Sequence, residues 1–233
     1  MFEGAQTCVR HRTIVRYMEQ PAGYLPQVVD LQSVIATPEL SRRAPRAPDY
    51  AAESYILASL AQGMSYSSEL ILEDLAQAAL TSCRGGSAGI SLIEEDGARF
   101  RWRALKGELA SRLGDTTPRE LSPCSTVVER NSVHLFSYLE RHFKYFAAVK
   151  PTIVEALLVP LSLEAKPIGT IWVMTHNERH RFDAEDARRI GNLGKFAAAA
   201  HRVRRALAEA EAAGQQPLAV RWQTDGASPL ALA

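Results

Sequence analysis

The stretch that most restricts what this chain can fold into is residues 87–104. Ala88, Ile90 and Leu92 alternate with Ser87, Gly89 and Ser91. After Asp96-Gly97, Phe100, Trp102 and Ala104 alternate with Arg99, Arg101 and Arg103. Period-two alternation on both sides of an Asp-Gly pair predicts two antiparallel strands and a tight turn, because these residues tolerate the positive φ such turns require. The nearly continuous apolar run 156–163 reads as a central strand. The Glu164-Ala165-Lys166-Pro167 turn joins it to a hairpin partner, Ile168-Gly169-Thr170-Ile171-Trp172-Val173-Met174. Three arginines on one face of the strand after Asp96-Gly97 predict a sheet covered on one side only, with the arginine row solvated rather than holding an anion.

Helical periodicity surrounds these strands. Ile56, Leu57 and Leu60, then Leu70, Ile71, Leu75, Ala78 and Ala79, recur at spacings of three and four. Gly63 and the Ser65-Tyr66-Ser67-Ser68 cluster predict a break and a fresh N-cap. Arg84-Gly85-Gly86 predicts a stop with a glycine in the left-handed cap conformation. Residues 106–121 read as a polar loop. Ser122-Pro123 reads as a cap followed by proline at the first helical position, opening a short helix that ends near Asn131. A short strand around Val133 and Leu135 leads into an aromatic-dense segment, 138–149. Asp183 with Asp186 is an Asp-x-x-Asp form of the capping box, opening a last helix whose stripe is Ile190, Leu193, Phe196, Ala197, Ala200 and Val203. That helix is expected to end near Gly214. Arg202, Arg204, Arg205 and Lys195 on it read as solvated or facing Glu209 and Glu211.

At about 150 residues per domain, 233 residues allow one domain with appendages or two small ones. The periodic residues favour the first: a segment or linker over 1–50, a domain over 51–205, and a helix extension with a flexible tail over 206–233. The apolar piece 28–35 is expected to dock on a partner surface or a second copy, and 41–48 to be an extended linker. A formal net charge of +1 gives no reason to expect nucleic acid. No apolar run approaches the roughly 20 residues that cross a membrane, and residues 1–16 lack the apolar stretch of a secretory signal. Three cysteines at wide spacing form neither a disulfide framework nor a zinc pattern. A cytoplasmic, reduced protein is the expectation.

Five stretches, in order, resemble the GAF domain family. Ser87-Ala88-Gly89-Ile90-Ser91-Leu92 is similar to its first strand, and Leu121-Ser122-Pro123-Cys124-Ser125-Thr126-Val127-Val128 to its short-helix entry. Val154-Glu155-Ala156-Leu157-Leu158-Val159-Pro160-Leu161 and Pro167-Ile168-Gly169-Thr170-Ile171-Trp172-Val173 resemble its paired strands. Arg181-Phe182-Asp183-Ala184-Glu185-Asp186 resembles its final-helix start. With Glu140-Arg141-His142-Phe143 ahead of the paired strands, the version looks like the GAF modules of bacterial sensor histidine kinases. The resemblance implies an α+β fold, a curved antiparallel sheet with terminal helices packed on one face and a pocket covered by a loop and short helices on the other. It also implies a sensory module that binds a small molecule, dimerises through its end helices and acts on a signalling partner such as a histidine kinase.

On that reading the ligand-binding set is Cys124, Ser125, Phe136, Arg141, His142, Phe143, Tyr145, Phe146, Glu155, Leu157, Trp172 and Met174. Cys124 in the first turn of a short helix is placed where N–H groups and the helix dipole favour thiolate; the plainer alternative is a small buried residue. The aromatic segment either lines a pocket or fills it. Glu155 either recognises an amine, orients Arg141 or ends a strand in solvent. A free methionine sulfoxide reductase-like thiol chemistry at Cys124 is the enzymatic alternative. The residue matching that enzyme's catalytic cysteine would fall near Ala147-Ala148-Val149, where there is none. Asn177, Phe182 and Asp186 echo a cyclic-nucleotide motif that lacks its lysine and glutamate here, and Cys124 lacks the adjacent histidine of bilin sites. His134, His142 and His176 with Cys124 have no short ligand spacing, so neither metal nor haem is expected. A third reading is an interaction domain with a self-filled pocket. With no kinase core, helix-turn-helix or nucleotide loop after Val203, output is expected through a partner or dimer.

Overall fold

The computed structural model describes residues 28–64, 70–163 and 166–213. A six-stranded antiparallel sheet organises them, in the order β3-β2-β1-β6-β5-β4. The strands are β1 (Ser87–Ile93), β2 (Arg99–Gly107), β3 (Thr116–Pro118), β4 (His134–Ser137), β5 (Glu155–Leu163) and β6 (Lys166–Thr175). The two hairpins read from alternation are β1–β2 and β5–β6, and they meet along the central β1–β6 pair. Two features extend that reading: β3 pairs with β2 inside the expected polar loop, and β4 pairs with β5. The α+β antiparallel arrangement expected from the sequence is the observed one.

Both faces of the sheet are covered, which corrects the expectation of a single covered face. The reason is a bulge. Ile90 pairs with Ala104 but Ser91 with Trp102, so Arg103 has no partner and the side-chain alternation resets. Phe100 and Trp102 therefore point to one face and Ala104 to the other, instead of all three sharing one. On the first face, α3 (Ile71–Ser82) and α5 (Ala184–Ala212) bury Ile71, Leu75 and Ile190 against Ile90, Leu157 and Ile171. Each such side chain contributes roughly 1.5–3 kcal/mol relative to exposure. Helix α2 (Tyr50–Met64) lies outside α3 and α5, and among its described side chains Leu60 alone is buried.

Local chemistry sets the helix ends. Asp183 accepts from the N–H groups of Glu185 (2.8 Å) and Asp186 (3.1 Å), while Asp186 accepts from the Asp183 N–H (3.1 Å), closing the expected box. Helix α4 (Pro123–Arg130) starts at Ser122 and stops at Asn131, which takes the left-handed conformation. At the end of α3 the left-handed residue is Arg84 (φ +51°) rather than a glycine. The glycines beside it are needed for contact: a Cβ at Gly86 would sit 2.6 Å from the His176 ring. Along α5, Arg205 pairs with Glu209 at 2.7 Å as the spacing predicts. The Ser65–Ser68 cap, the Glu164-Ala165 corner, residues 1–27 and the tail from Gly214 lie outside the described residues.

Residues 28–49 fold back on this domain instead of running as an extended linker. A one-turn 3-10 helix (Leu31–Ser33) leads to Ile35, bridged to Phe136. Val34 is only 1% exposed. Ala36 donates to Leu135 (2.7 Å) and Ser137 to Val34 (2.8 Å), so the strap adds to the β4 edge. After the short helix α1 (Glu39–Arg42), Arg43 binds Glu155 with both terminal nitrogens (3.0 and 2.7 Å) and donates to the Phe182 carbonyl (2.6 Å). Arg46 pairs with Asp186 and donates to the Ser82 carbonyl at 2.8 Å. The apolar piece finds its partner surface within the chain because β4 would otherwise expose an unpaired edge.

Candidate functional site

The face of the sheet away from α3 and α5 carries a second buried layer. Its floor is built from alternating residues: Ser91 of β1, Phe100 and Trp102 of β2, Phe136 of β4, Ala156 and Leu158 of β5, Trp172 and Met174 of β6. Its roof is α4, with Cys124, Val127 and Val128, and two 3-10 turns, Leu139–Arg141 and Lys144–Ala148, that bring Leu139, Phe143 and Phe146 inward. The strap adds Val34.

Aromatic rings dominate the layer and touch one another. Trp102 meets Trp172 edge-on (centroids 5.5 Å apart) and lies nearly parallel to Phe146 (6.3 Å), while Phe136 meets Phe143 edge-on at 5.8 Å. Trp172 can lie across β1 only because residue 89 is glycine; a Cβ there would fall 2.6 Å from its ring. The indole N–H donates to Ser91 Oγ at 2.8 Å, satisfying the polar edge of a buried tryptophan.

Few polar groups enter this layer. Cys124 Sγ accepts from the Thr170 hydroxyl at 3.1 Å, and its N–H donates to Ser122 Oγ at 3.3 Å. Burial pushes the Cys124 thiol up, and the hydrogen bonds from Thr170 and Ser122 offset this only in part. Of the two readings of Cys124, the geometry favours the small buried residue: water is kept from the sulfur, and desolvation outweighs the dipole. Cys83 packs in the layer on the other side of the sheet, its thiol also pushed up by burial, so the two cannot meet. Thr117, fully buried on β3, has a hydroxyl oxygen with no hydrogen-bond partner. It pairs across from Phe100, so its side chain stands on the aromatic face.

The expected site residues separate into three groups. Cys124, Phe136, Phe143, Phe146, Trp172 and Met174 come together in the layer, with Tyr145 packed at its rim and donating to the Thr116 carbonyl at 2.9 Å. Ser125, Arg141 and His142 have other partners. Ser125 donates to the Arg119 carbonyl, Arg141 is exposed, and His142 Nδ1 bonds the Val29 carbonyl at 2.7 Å. Glu155 and Leu157 stand on the opposite face, a correction that follows from strand alternation: Ala156 and Leu158 face the aromatic layer. Glu155 serves Arg43 and the Phe182 N–H (3.1 Å), not Arg141 or solvent.

Phe100, Trp102, Ser91, Thr170 and Thr117 were not among the expected site residues. The alternation of β1 and β6 already places Ser91 and Thr170 on the Trp172 face. The bulge and the three-residue β3 leave no pattern that finds Trp102 or Thr117.

His134, His142 and His176 bond different groups, the carbonyls of Ser132, Val29 and Thr152. Burial holds His134 below the usual imidazole range. Among the described residues no cluster of three or more histidine, cysteine, aspartate or glutamate side chains is placed to hold a metal ion. No described helix is long and apolar enough to cross a membrane. A cleft at the α2, α3 and α5 junction, lined by Glu53, Ile56, Leu57 and Asn192, holds no more than water. It belongs to the helix interface, where Arg188 and Asn192 bind Glu53.

Comparison with known proteins agrees with this architecture. The GAF domain from an Acinetobacter phosphoenolpyruvate-protein phosphotransferase superposes with a TM-score of 0.56 at 17% identity, over 71% of this chain and 98% of that one. Free methionine-R-sulfoxide reductase from Neisseria meningitidis, solved with its substrate, gives 0.57 at 17%, over 70% and 97%. The GAF-B domain of DevS from Mycobacterium smegmatis gives 0.51 at 13%, over 61% and 98%. At these identities the likeness is one of fold. No curated protein matches in sequence. The family model described as GAF domain matches residues 68–201, more than half of the chain. The chain therefore belongs to the GAF domain family.

Proposed function

We propose that this protein is a regulatory module that holds a small molecule between its sheet and the α4 and 3-10 roof, and passes occupancy to a partner or a second copy through α2 and α5. The observation that carries this reading is Thr117: a hydroxyl fully buried against an aromatic layer with no partner. An unmet hydroxyl in such a place is costly unless something completes it. Phe143 and Phe146, which close the layer, sit at the start of and within the short 3-10 turn Lys144–Ala148 rather than on a long element. This turn is the natural moving part, because it can shift without breaking a sheet pairing. A ligand acts only if it binds the two roof positions with different affinity.

The free methionine sulfoxide reductase among the structural neighbours brings a thiol enzyme to mind. The raised Cys124 thiol, and the placement of Cys83 across the sheet, argue against that chemistry here. A second reading is favoured by a separate observation. The rings of Trp102, Trp172, Phe136, Phe143 and Phe146 already fill the layer, as they would in an interaction domain that binds nothing.

Tryptophan fluorescence separates the two. With Trp222 replaced by Phe, emission comes from Trp102 and Trp172 alone. A regulatory module changes emission and melting temperature when small-molecule fractions of its source cells are added. An interaction domain shows neither change, and its self-association is indifferent to those fractions.

A further inference from the structure

Resting on the regulatory reading above, we infer the chemical class of the molecule: an uncharged, largely aromatic or alkyl compound carrying one hydrogen-bonding group that meets Thr117. Every buried carboxylate among the described residues, Glu155, Asp183, Glu185 and Asp186, lies on the helix side of the sheet. Each is engaged there: Glu155 by Arg43, Asp186 by Arg46, Glu185 by Arg188 and Arg189, and Asp183 by the Arg46 N–H and the α5 N-terminus. Among the described residues, the aromatic layer has no wholly buried arginine, lysine, aspartate or glutamate; Arg112 lies over the Trp102 ring, 5.7 Å from its centroid, but is paired with Asp115. Its histidine neighbour, His134, stacked on Phe136, is held toward its neutral form.

Among the described residues, an anion taken under the roof would meet no unpaired cation, since Arg112 is held by Asp115, and a cation would meet only the half-buried Glu140; a charge so poorly paired in such surroundings is strongly disfavoured. The layer's own hydrogen-bonding groups are mostly spent. Ser91 holds Trp172, and Thr170 holds Cys124. Thr117 is the one buried hydroxyl on this face with an open valence among the described residues. Glu140, half-buried on the first roof turn with one carboxylate oxygen unpartnered, adds negative charge to the roof and further disfavours anions. Phe146 against Trp102 shows the shape such a molecule would copy: a flat ring that takes the place of the lid's own.

A matched set of probes tests this on the full chain: 2-naphthalenemethanol, 2-methylnaphthalene, 2-naphthoate and 2-naphthylmethylammonium, followed by ligand-observed NMR and thermal shift. The alcohol is expected to bind at least about tenfold more tightly than either ion. Thr117→Val, which keeps the shape and removes the hydroxyl, is expected to weaken the alcohol about fivefold while leaving methylnaphthalene unchanged. Thr117→Ser, which keeps the hydroxyl, retains the preference for the alcohol. Equal binding of an ion, or an alcohol affinity indifferent to Thr117→Val, overturns the assignment and leaves the regulatory reading standing. If cell fractions shift the protein but no probe does, the class falls and the reading survives. If neither fractions nor probes act, both fall.

Discussion

Gly169 is a residue at which a single atom matters. A Cβ there would run into the Ser91 carbonyl oxygen on the neighbouring central strand, with the Leu92 Cα 2.9 Å away. Both obstacles include backbone, so Gly169→Ala must push β1 and β6 apart where the two hairpins join. A loss of about 3 kcal/mol or more is expected, read as a lower urea midpoint. Thr117→Val should move stability the other way, raising it by about 1 kcal/mol, since it removes an unmet buried hydroxyl at nearly constant volume. Residues whose role is local were legible from sequence: Ser122 as a cap and Asp183 with Asp186 as a box need only their neighbours in the chain. The two readings of Cys124 stayed open in the sequence because the thiol's state depends on burial by Thr170 and the roof, which spacing does not reveal. Thr117 carried no signal, since its strand is three residues long.

At the scale of elements, the strap 28–49 and the α2–α5 junction make separate predictions. Arg43 is the only described side chain that binds Glu155 with two nitrogens; Arg181 approaches no closer than 3.6 Å. Arg43→Ala leaves a carboxylate 1% exposed with reduced compensation. It should cost about 2–3 kcal/mol and speed amide exchange at Leu135 and Ser137, whose N–H groups bond the strap. Arg43→Met with Glu155→Leu should recover much of that loss, because it removes both charges together.

At the junction, Arg188 and Arg189 hold the Glu185 carboxyl down to about 2, and Arg188 lowers Glu53 as well. Both are acids with depressed folded-state values. Their contribution is fully present above the ordinary carboxylate value of 4.5 and is lost as pH falls from there toward 2. Glu185→Gln should flatten the fall in urea midpoint between pH 5 and 2. The hairpins and helices were readable from periodicity. The strap's place was not, because its arginines meet partners more than 100 residues away, and neither was the bulge that turns Phe100 and Trp102 to the far face.

For the whole molecule, the sheet divides charge from aromatic surface. Ion pairs hold the helix side, where α2 leaves Tyr55 76% exposed and α5 leaves Val203 and Leu207 exposed. If α2 and α5 carry the output, Tyr55→Glu should weaken self-association, measured by sedimentation, without moving the urea midpoint by more than about 0.5 kcal/mol. The GAF architecture was legible because ordered strand and helix patterns survive where individual contacts do not. The composition of the aromatic layer emerged only once alternation, bulge and roof were combined. The central claim is that a small uncharged molecule sits against Thr117 under the aromatic roof. Native mass spectrometry of the protein purified from its own source tests it most directly. The account predicts a single neutral adduct per chain, depleted in Thr117→Val; a protein of bare mass, or an ionic adduct retained by Thr117→Val, would contradict it.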